Sequence, residues 1–390
     1  MTEHILQLLR TAPLIDGHND LLWALRTLRE AGEDEPDLRE PTPALQTDLP
    51  RISAGGMGGQ FWSVYVPSSL PEPEAVTQTL EQIDALTALC RRYPDRLEPA
   101  RTADDIDRIA ASGKVASMIG VEGGHCIASS LSVLRVLARL GAGYMTLTHN
   151  DDTPWADSAT GSHPHGGLTD FGEDVVREMN RLGVLVDLSH VSDDTMRQAI
   201  EVSDAPVLFS HSSARAVADV TRNVPDDVLE LVGRTGGVVM VTFVPGFVTK
   251  EGAALNRAGW EEAHRLKAEH PDDPDAVSTA MDSWFDEHEV EAAVGEVADH
   301  VDHVREVAGI DAIGVGGDFD GAGVMPQGLD DVAGYPALFE ALAARGYTDE
   351  DLQAIAGRNV LRLMRAAEEV ASGLAPEAGG GSAGGGPNDR

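Results

Sequence analysis

The chain has 390 residues, 42% of them hydrophobic, and its 65 Asp and Glu residues against 29 Lys and Arg give a formal net charge of −36. Such an acid excess repels nucleic-acid phosphates and anionic lipid, and no cluster of basic residues offsets it locally. We therefore expect neither nucleic acid nor a membrane surface as a partner, which leaves small-molecule chemistry. The two cysteines, Cys90 and Cys126, are too few for a disulfide framework or a zinc ribbon.

The N-terminal segment lacks the basic leader, apolar run and small-residue cleavage site of a secretory signal. Nowhere does the chain contain the roughly 18 consecutive apolar residues that a membrane-spanning helix needs. These features predict a cytoplasmic protein. The sequence leaves the oligomeric state open, with a homodimer as one candidate.

Eight short apolar runs recur along the chain, continuous rather than alternating, as is typical of strands buried on both faces. These candidate strands are Leu14–Gly17, Gln60–Val66, Val115–Val121, Tyr144–Thr148, Val184–Leu188, Pro206–Phe209, Val238–Phe243 and Ala312–Val315. Helix-patterned segments lie between them, including Pro73–Arg92, Leu131–Leu140, Gly172–Leu182, Asp193–Val202 and Pro225–Val232. The alternation predicts a (β/α)₈ TIM barrel rather than an open doubly wound sheet, which would carry a Gly-rich phosphate turn after its first strand.

Two segments depart from this alternation. Residues Thr249 to about Asp286 are polar and acidic, and we expect them to form an insertion between the seventh and eighth candidate strands, as a lid or a surface helical hairpin. Residues 371–390 end in AGGGSAGGGPNDR, which is linker composition. The sequence therefore predicts one barrel domain over residues 1–370 and a flexible Gly-rich tail over residues 371–390.

In a TIM barrel, catalytic side chains lie at the C-terminal ends of the strands. Most of the candidate strands are followed there by a histidine or a carboxylate: His18 and Asp20, Glu122, His149, His190, His211 and Asp318. A lone histidine at a strand end is more often a hydrogen-bonded structural residue than a metal ligand. Four histidines and three carboxylates on one rim, however, would be costly without a neutralising cation, so the set predicts a metal site with two ions.

The spacing within this set indicates how the ions could be shared. His18 and Asp20 are two residues apart, so a strand aims both side chains to the same side, where they could bind one metal. His190 and His211 could hold a second ion. A carbamylated lysine is one known bridge between two such ions, but none of the three lysines ends a candidate strand, and Glu122 does. Glu122 is therefore the favoured bridging ligand.

The other histidines are weaker candidates. His300 and His303 have a helical spacing that could bind metal, but the acidic periodic segment around them predicts a solvated helix face. We place His264, His270 and His288 at the surface, in or beside the insertion. His125, His163 and His165 stay undecided, although the loop that carries the last two could border the pocket.

Seven short segments, spread over roughly residues 10–370, form a specific pattern when taken in order. They are Ile15–Asp20, Gly120–His125, Leu147–Asn150, Val186–His190, Phe209–Ser213, Arg222–Asp227 and Gly316–Gly321. On these segments the sequence resembles the membrane dipeptidases, also called renal dipeptidases, of the amidohydrolase superfamily, as a soluble member of bacterial type.

The resemblance implies a binuclear zinc dipeptidase. By this likeness His18 and Asp20 would bind the first zinc ion, and His190 and His211 the second. Glu122 and a hydroxide would bridge the two ions. The likeness also implies tolerance of a D-residue at the C-terminal position of the dipeptide and opening of some β-lactam rings.

The resemblance assigns the remaining residues to substrate and proton transfer. His149 would contact the carbonyl oxygen of the substrate or its tetrahedral form, and Arg222 would pair with the terminal carboxylate. Asp318 would accept the proton of the attacking hydroxide and pass it to the departing amine, a general acid and base role. Two alternatives stay open: a related amidohydrolase acting on N-acyl amino acids or on lactone or β-lactam rings, and a catalytically inactive metal-binding protein.

Overall fold

The computed structural model describes residues 1–271, 273–286, 288 and 290–374. Its strands are β1 (Leu14–Asn19), β2 (Met57–Tyr65), β3 (Leu97–Pro99), β4 (Val115–Glu122), β5 (Ala142–Thr146), β6 (Leu185–Asp187), β7 (Leu208–Phe209), β8 (Val238–Val241) and β9 (Ile313–Val315). Its helices are α1 (Thr2–Thr11), α2 (Leu21–Glu30), α3 (Leu49–Ala54), α4 (Glu72–Arg92), α5 (Ala103–Ala111), α6 (Leu131–Leu140), α7 (Asp170–Leu182), α8 (Asp193–Val202), α9 (Asp226–Thr235), α10 (Pro245–Val248), α11 (Lys250–Glu269), α12 (Pro274–Asp286), α13 (Val294–Ala308), α14 (Tyr335–Ala344), α15 (Asp349–Gln353) and α16 (Asn359–Leu374).

Eight of these strands form a closed barrel in which all neighbours are parallel. The strands follow one another in the order β2, β1, β9, β8, β7, β6, β5, β4, and a continuous register from Gly59↔Ala116 to Tyr65↔Glu122 closes the ring between β2 and β4. Each of the eight candidate strands overlaps one barrel strand. The predicted (β/α)₈ TIM barrel is therefore confirmed, and its strands are buried almost throughout, as continuous apolar runs require.

Strand β3 was not predicted. It pairs in parallel with the first residues of β4, from Leu97↔Val115 to Pro99↔Ser117, and forms the outer edge of the sheet. Its three residues, Leu-Glu-Pro, are too few for an apolar run, and its proline is typical of an edge strand. The pairing depends on a partner more than ten residues away, which no local pattern reveals.

Several helices begin at a residue whose side-chain oxygen caps the first turn. The Ser192 side chain accepts a hydrogen bond from the Thr195 amide at the start of α8, as its sequence predicts. Pro225 was expected in the first turn of α9 and is instead the residue just before it. Such a difference of one residue is within the usual uncertainty of helix ends.

The predicted insertion lies between β8 and β9, the seventh and eighth strands of the barrel, and is a helical hairpin formed by α11 and α12. The Thr249 side chain caps α11 by accepting a hydrogen bond from the Gly252 amide. Ala253, in the first turn of α11, packs on Ala218 and Val220 of the connection between β7 and α9. The hairpin is thus anchored beside the loops at the C-terminal end of the barrel.

The last helix, α16, continues through residues 371–374, where the tail was expected to begin. The rest of the predicted tail, residues 375–390, lies outside the described residues. Across the described part of the chain, none of the helices combines the length and the apolar character needed to cross a bilayer.

Candidate metal centre and active site

A cavity of about 810 Å³ opens at the C-terminal end of the barrel strands. Six of the eight residues predicted for the site line it: Asp20, Glu122, His149, His190, Arg222 and Asp318. The other two, His18 and His211, are fully buried beside them. The barrel thus brings the ends of β1, β4, β5, β6, β7 and β9 to one place, as its parallel strands require.

Glu122 lies at the centre of the side chains that could bind metal. Three groups have ligand atoms that all lie within 4.8 Å of one another: His18, Glu122 and His211; Glu122, His149 and His190; and His18, Asp20 and Asp318. The two oxygens of Glu122 face different partners, because Oε2 is 3.5 Å from His18 Nε2 and Oε1 is 3.2 Å from His190 Nε2. Ser63 donates a hydrogen bond to Oε2 and fixes the carboxylate.

Tyr144 determines which nitrogen of His18 carries the proton. The Tyr144 hydroxyl donates to the Gly17 carbonyl at 3.1 Å, so it must accept the hydrogen bond that joins it to His18 Nδ1 at 2.9 Å. In the neutral, metal-binding form of His18 the proton is therefore on Nδ1, and Nε2 faces the neighbouring carboxylates. Burial would lower the pKa of His18, but Tyr144 and the nearby carboxylates outweigh it and hold that pKa well above its ordinary value. Tyr144 fits only because residue 120 is glycine, since a Cβ atom there would overlap the tyrosine ring.

His211 is oriented in the same way by a different chain of groups. Ser210 Oγ donates to Asp187 Oδ2 at 2.6 Å, and therefore accepts from His211 Nδ1 at 2.8 Å. The Nε2 lone pair of His211 then faces His190 Nε2, 2.9 Å away. Burial lowers the pKa of His190 and of His211 well below the ordinary value, so both rings are neutral, the form that binds a metal ion.

These residues fit a metal ion by the chemistry of the donor set. Nε2 of His18 is buried and has no hydrogen-bond partner among the residues that the structure describes. Its Nδ1, like that of His211, is held by a second group, which is the usual arrangement around histidine ligands. Burial would raise the pKa of Glu122, but the positive charge of His18 and the contact with His190 outweigh it and hold that pKa well below its ordinary value. The carboxylate is thus charged at neutral pH.

Asp16 holds the ends of β1 and β9 together beneath this cluster. Its carboxylate accepts hydrogen bonds from the amides of His18 and Gly317, from the Gln60 side chain and from the Tyr335 hydroxyl. Asp16, Tyr144 and Asp187 were not predicted as supports of the site. The only local signal was a polar residue within a buried strand.

Asp318 lies at the opening of the cluster, next to Asp20. Burial raises the pKa of Asp318 to about 7, and the nearby Asp20 and Glu122 carboxylates add to the shift, so the group gains and loses a proton near neutrality. Its backbone, like that of His190, adopts a left-handed φ, 62° and 69° respectively. Strained conformations of this kind concentrate at functional sites. Gly321 leaves the space that Asp20 and Asp318 need.

Arg222 is buried with part of its guanidinium unused. Nη2 donates weakly to the His211 carbonyl at 3.5 Å, and Nη1 has no partner among the described residues. The guanidinium carbon lies 5.2 Å from the centre of the Phe247 ring. Burial lowers the pKa of Arg222 to about 10, which still leaves it charged at neutral pH. A buried cation that lines a cavity with a free donor is suited to an anionic group.

His149 lies between the candidate metal ligands and two aromatic residues that line the cavity, Tyr65 and Trp23. Its Nε2 is 3.8 Å from Glu122 Oε1, and its ring centre is 5.0 Å from that of Tyr65, which in turn contacts Trp23 edge to face. Burial lowers the pKa of His149, so a neutral ring faces the cavity. Trp23, Tyr65 and Phe247 were not predicted as cavity residues, because single aromatic residues carry no sequence pattern that marks a cavity wall.

The interpretation of His300 as part of a solvated helix face was wrong. His300 is fully buried: Nδ1 accepts from the Ala214 amide at 3.0 Å and Nε2 donates to the Val248 carbonyl at 3.1 Å. Its neighbour His303 is the more exposed of the two and pairs with Asp226. His125 is also a structural residue, since its Nε2 donates to the Val66 carbonyl.

Comparison with known proteins identifies the family to which this arrangement belongs. The model of the family described as "Membrane dipeptidase (Peptidase family M19)" matches residues 2–377. The chain belongs to the membrane dipeptidase family. This confirms the resemblance found in the sequence and gives the protein its class, a metallopeptidase that hydrolyses the peptide bond of dipeptides.

Individual membrane dipeptidase relatives agree with this assignment. Dipeptidase 3 of Mus musculus is 43% identical over 375 residues, which are 95% of this chain and 67% of the mouse protein. A metallo peptidase from Rhodobacter sphaeroides, liganded with a phosphinate mimic of the dipeptide L-Ala-D-Ala, superposes with a TM-score of 0.74 at 27% identity, covering 91% of this chain and 99% of its own. The probable dipeptidase PvdM of Pseudomonas aeruginosa shares the fold, with a TM-score of 0.82 at 24% identity over 95% of this chain and 98% of its own.

Membership of this family also implies a metal cofactor, and the candidate residues for it are the three groups of possible ligands given above, two of which contain Glu122. Both cysteines are free and buried, so the described chain has no disulfide, as its composition led us to expect.

Proposed function

We propose that this dipeptidase is a binuclear zinc enzyme in which Glu122 is shared between two metal positions. The observation that carries the proposal is the division of the Glu122 oxygens, with Oε2 toward His18 and Oε1 toward His190. Asp20 would complete the first position, and His211 would complete the second. A single bridging carboxylate lowers the repulsion between two cations, which is why a shared anion belongs at this place.

Two zinc ions at these positions would supply Lewis-acid polarisation of the peptide carbonyl and a water of lowered pKa. The side chains of the protein perform the remaining steps. Asp318, with its pKa near neutrality, takes up the proton of the attacking water and delivers it to the nitrogen of the departing amine. His149 faces the same space and donates a hydrogen bond to the oxygen on which negative charge develops.

Arg222 would bind the free carboxylate of the dipeptide. Its unused Nη1 and its charge suit a carboxylate at the cavity wall, and a bidentate pair of this kind is strong and directional. A longer peptide places an amide where the carboxylate should be, and therefore loses this pair. The proposed specificity for dipeptides follows from this one contact.

Acceptance of a C-terminal D-residue is the finer part of the proposal. The support is the Rhodobacter sphaeroides metallo peptidase, whose bound ligand mimics L-Ala-D-Ala. In this chain the groups proposed to act on the substrate would contact its carbonyl, amine and carboxylate, and none of these three contacts involves the side chain of the C-terminal residue. The configuration at that residue is therefore left free by these contacts.

The test is a substrate panel on zinc-loaded protein, with zinc content measured on the same sample. We expect turnover of L-L and L-D dipeptides, with little or none on N-acetyl amino acids, lactones or C-terminally amidated dipeptides. Glu122→Ala should lose turnover and bound zinc together. Preferred hydrolysis of N-acyl amino acids or lactones would instead favour the related amidohydrolase activity, and zinc binding without turnover of any substrate would indicate an inactive metal-binding protein.

Arg222→Met is the matched test of the carboxylate contact. It should impair free dipeptides strongly and leave the weak turnover of amidated dipeptides nearly unchanged. Equal losses on both would contradict the assignment of Arg222.

A further inference from the structure

The cavity has a wall that the proposed chemistry does not use. At about 810 Å³ it is near the upper end of the roughly 300–1,000 Å³ that small-molecule sites occupy, and the smallest dipeptides do not fill such a space. The connection between β8 and β9 supplies this wall, which we call the hairpin wall: Val244, Phe247, Leu255, Asn256, Trp260 and Val290. It is mostly apolar, and two of its members are aromatic.

The hairpin wall is built onto the segment that carries Arg222. The side chain of Asn223, the next residue, donates a hydrogen bond to the Phe247 carbonyl at 2.8 Å. Arg257 of α11 donates to the Asp219 carbonyl of the same segment. The Phe247 ring itself lies 5.2 Å from the Arg222 guanidinium carbon. Any group bound by Arg222 therefore lies next to this wall.

Trp260 is fixed in the wall by a hydrogen bond within α11. Its indole Nε1 donates to Asn256 Oδ1 at 2.6 Å, one helical turn away. Because the indole N–H is the only donor of this side chain and is already used, what Trp260 offers to the cavity is its ring surface. Its side chain is half-buried, so part of that surface is available to a ligand.

We propose that Phe247 and Trp260 bind the side chain of the C-terminal residue of the dipeptide, and that this wall selects bulky apolar residues, above all aromatic ones. The inference rests on the proposed function, which places the substrate carboxylate at Arg222. The Cα atom of the C-terminal residue is bonded directly to that carboxylate, so its side chain is the part of the substrate nearest the hairpin wall. Aromatic rings gain from packing against one another beyond the area they bury.

The experiment compares kcat/KM for Ala-Phe, Ala-Leu, Ala-Gly and Phe-Ala on zinc-loaded wild type and variants. Trp260→Ala should lower the ratio of kcat/KM for Ala-Phe to that for Ala-Gly by at least about tenfold, mainly through KM, since a contact made equally in the ground and transition states affects binding. Trp260→Phe keeps a ring at the same place and should retain most of the preference. Trp23→Ala, which removes an aromatic residue of the cavity lining that packs edge to face on Tyr65, is the matched control and should leave this ratio unchanged.

Three results would overturn the inference. These are an equal effect of Trp260→Ala on Ala-Phe and Ala-Gly, a loss confined to Phe-Ala, or a change in the ratio only in Trp23→Ala. Thermal unfolding of each variant shows whether the fold is kept, and Trp260→Phe tests the wall if Trp260→Ala unfolds. Failure of the proposed carboxylate contact gives a different result, because Arg222→Met would then impair free and amidated dipeptides equally.

Discussion

The state of the histidines at the metal centre depends on hydroxyl groups that touch no substrate. Tyr144 and Ser210 each donate their single proton away from the cluster, and each therefore accepts the Nδ1 proton of a histidine. The Nε2 atoms of His18 and His211 are thereby aimed at the cluster before any ion arrives. Metal affinity should consequently depend on residues that lie outside the ligand set.

Tyr144→Phe tests this dependence. The variant removes only the oxygen that holds His18 Nδ1, and we expect metal affinity to fall by about 10- to 100-fold, as is usual when a histidine ligand loses its supporting partner. Competition with a chromogenic chelator measures the change. The control is Tyr347→Phe, which removes a hydroxyl that bonds Asp302 away from the site. Equal affinities in the two variants would show that Tyr144 does not orient the ligand.

Asp318→Asn separates proton transfer from metal binding. Asparagine has a similar shape but cannot accept the proton, so kcat should fall by about 10² or more while the metal content stays near that of the wild type. Metal analysis and steady-state kinetics on one preparation give both numbers. An unchanged kcat would remove Asp318 from proton transfer, and a large loss of metal would make it a ligand.

Helix α13 is joined to the rest of the barrel by a buried histidine. His300 connects it to the Ala214 amide and to the Val248 carbonyl of α10. Burial lowers the pKa of His300 to about 4, whereas an unfolded histidine has a pKa of about 6.5. Between these values the unfolded chain binds a proton that the folded chain does not bind. The free energy of unfolding should therefore fall as pH drops from about 6.5 to 4.

This contribution amounts to about 1 kcal/mol per pH unit across most of that range. His300→Gln should make the dependence on pH shallower by about that amount between pH 6 and 5, as measured by urea unfolding. His125, whose pKa burial also lowers to about 4, contributes a similar slope and remains in the variant. His270→Gln, at an exposed position, is the control and should leave the slope unchanged. A slope in His300→Gln equal to that of the wild type would contradict the assignment.

An element can be predicted from the sequence when the residues that determine it are close together in the chain. The barrel strands are predictable because each is an apolar run buried on both faces. Seven of the eight candidate site residues are predictable because each lies at or shortly after the end of such a run, whereas Arg222 does not and was indicated only by the family resemblance. Strand β3 is not predictable, since Leu97–Pro99 exists through its pairing with β4. His300 was misplaced for the same reason, because its two hydrogen-bond partners belong to other elements.

The hairpin between β8 and β9 shows both what the sequence predicts and what it does not. Its composition predicts an insertion, and α11 and α12 form one. That Trp260 lines the cavity follows from how α11 packs against the segment around Asp219 and Ala218, which its own sequence does not show. Supports such as Asp16 and Asp187 were likewise missed, because a buried polar residue in a strand does not reveal which partner it bonds.

The net charge of −36 acts on the molecule as a whole. A dipeptide such as Ala-Ala has no net charge, so the field should not affect its capture, whereas Ala-Glu is repelled and Ala-Lys is attracted. Raising the salt from about 10 mM to 0.15 M shortens the screening length from about 30 Å to about 8 Å. We expect kcat/KM to rise about threefold or more for Ala-Glu, to fall similarly for Ala-Lys, and to stay constant for Ala-Ala. A parallel change for all three would point to an effect of salt on the enzyme itself.

The close fit of the Tyr144 ring over Gly120 limits how this chain can evolve. One added methyl group at residue 120, inside the barrel and without any functional group of its own, displaces the tyrosine and with it the proton on His18 Nδ1. Where selection on the enzyme is relaxed, a substitution at residue 120 should abolish activity as readily as the loss of a metal ligand. In a saturation library, position 120 should accept only glycine. A homologue with any other residue at this position should be inactive, just as one that lacks a histidine ligand should be.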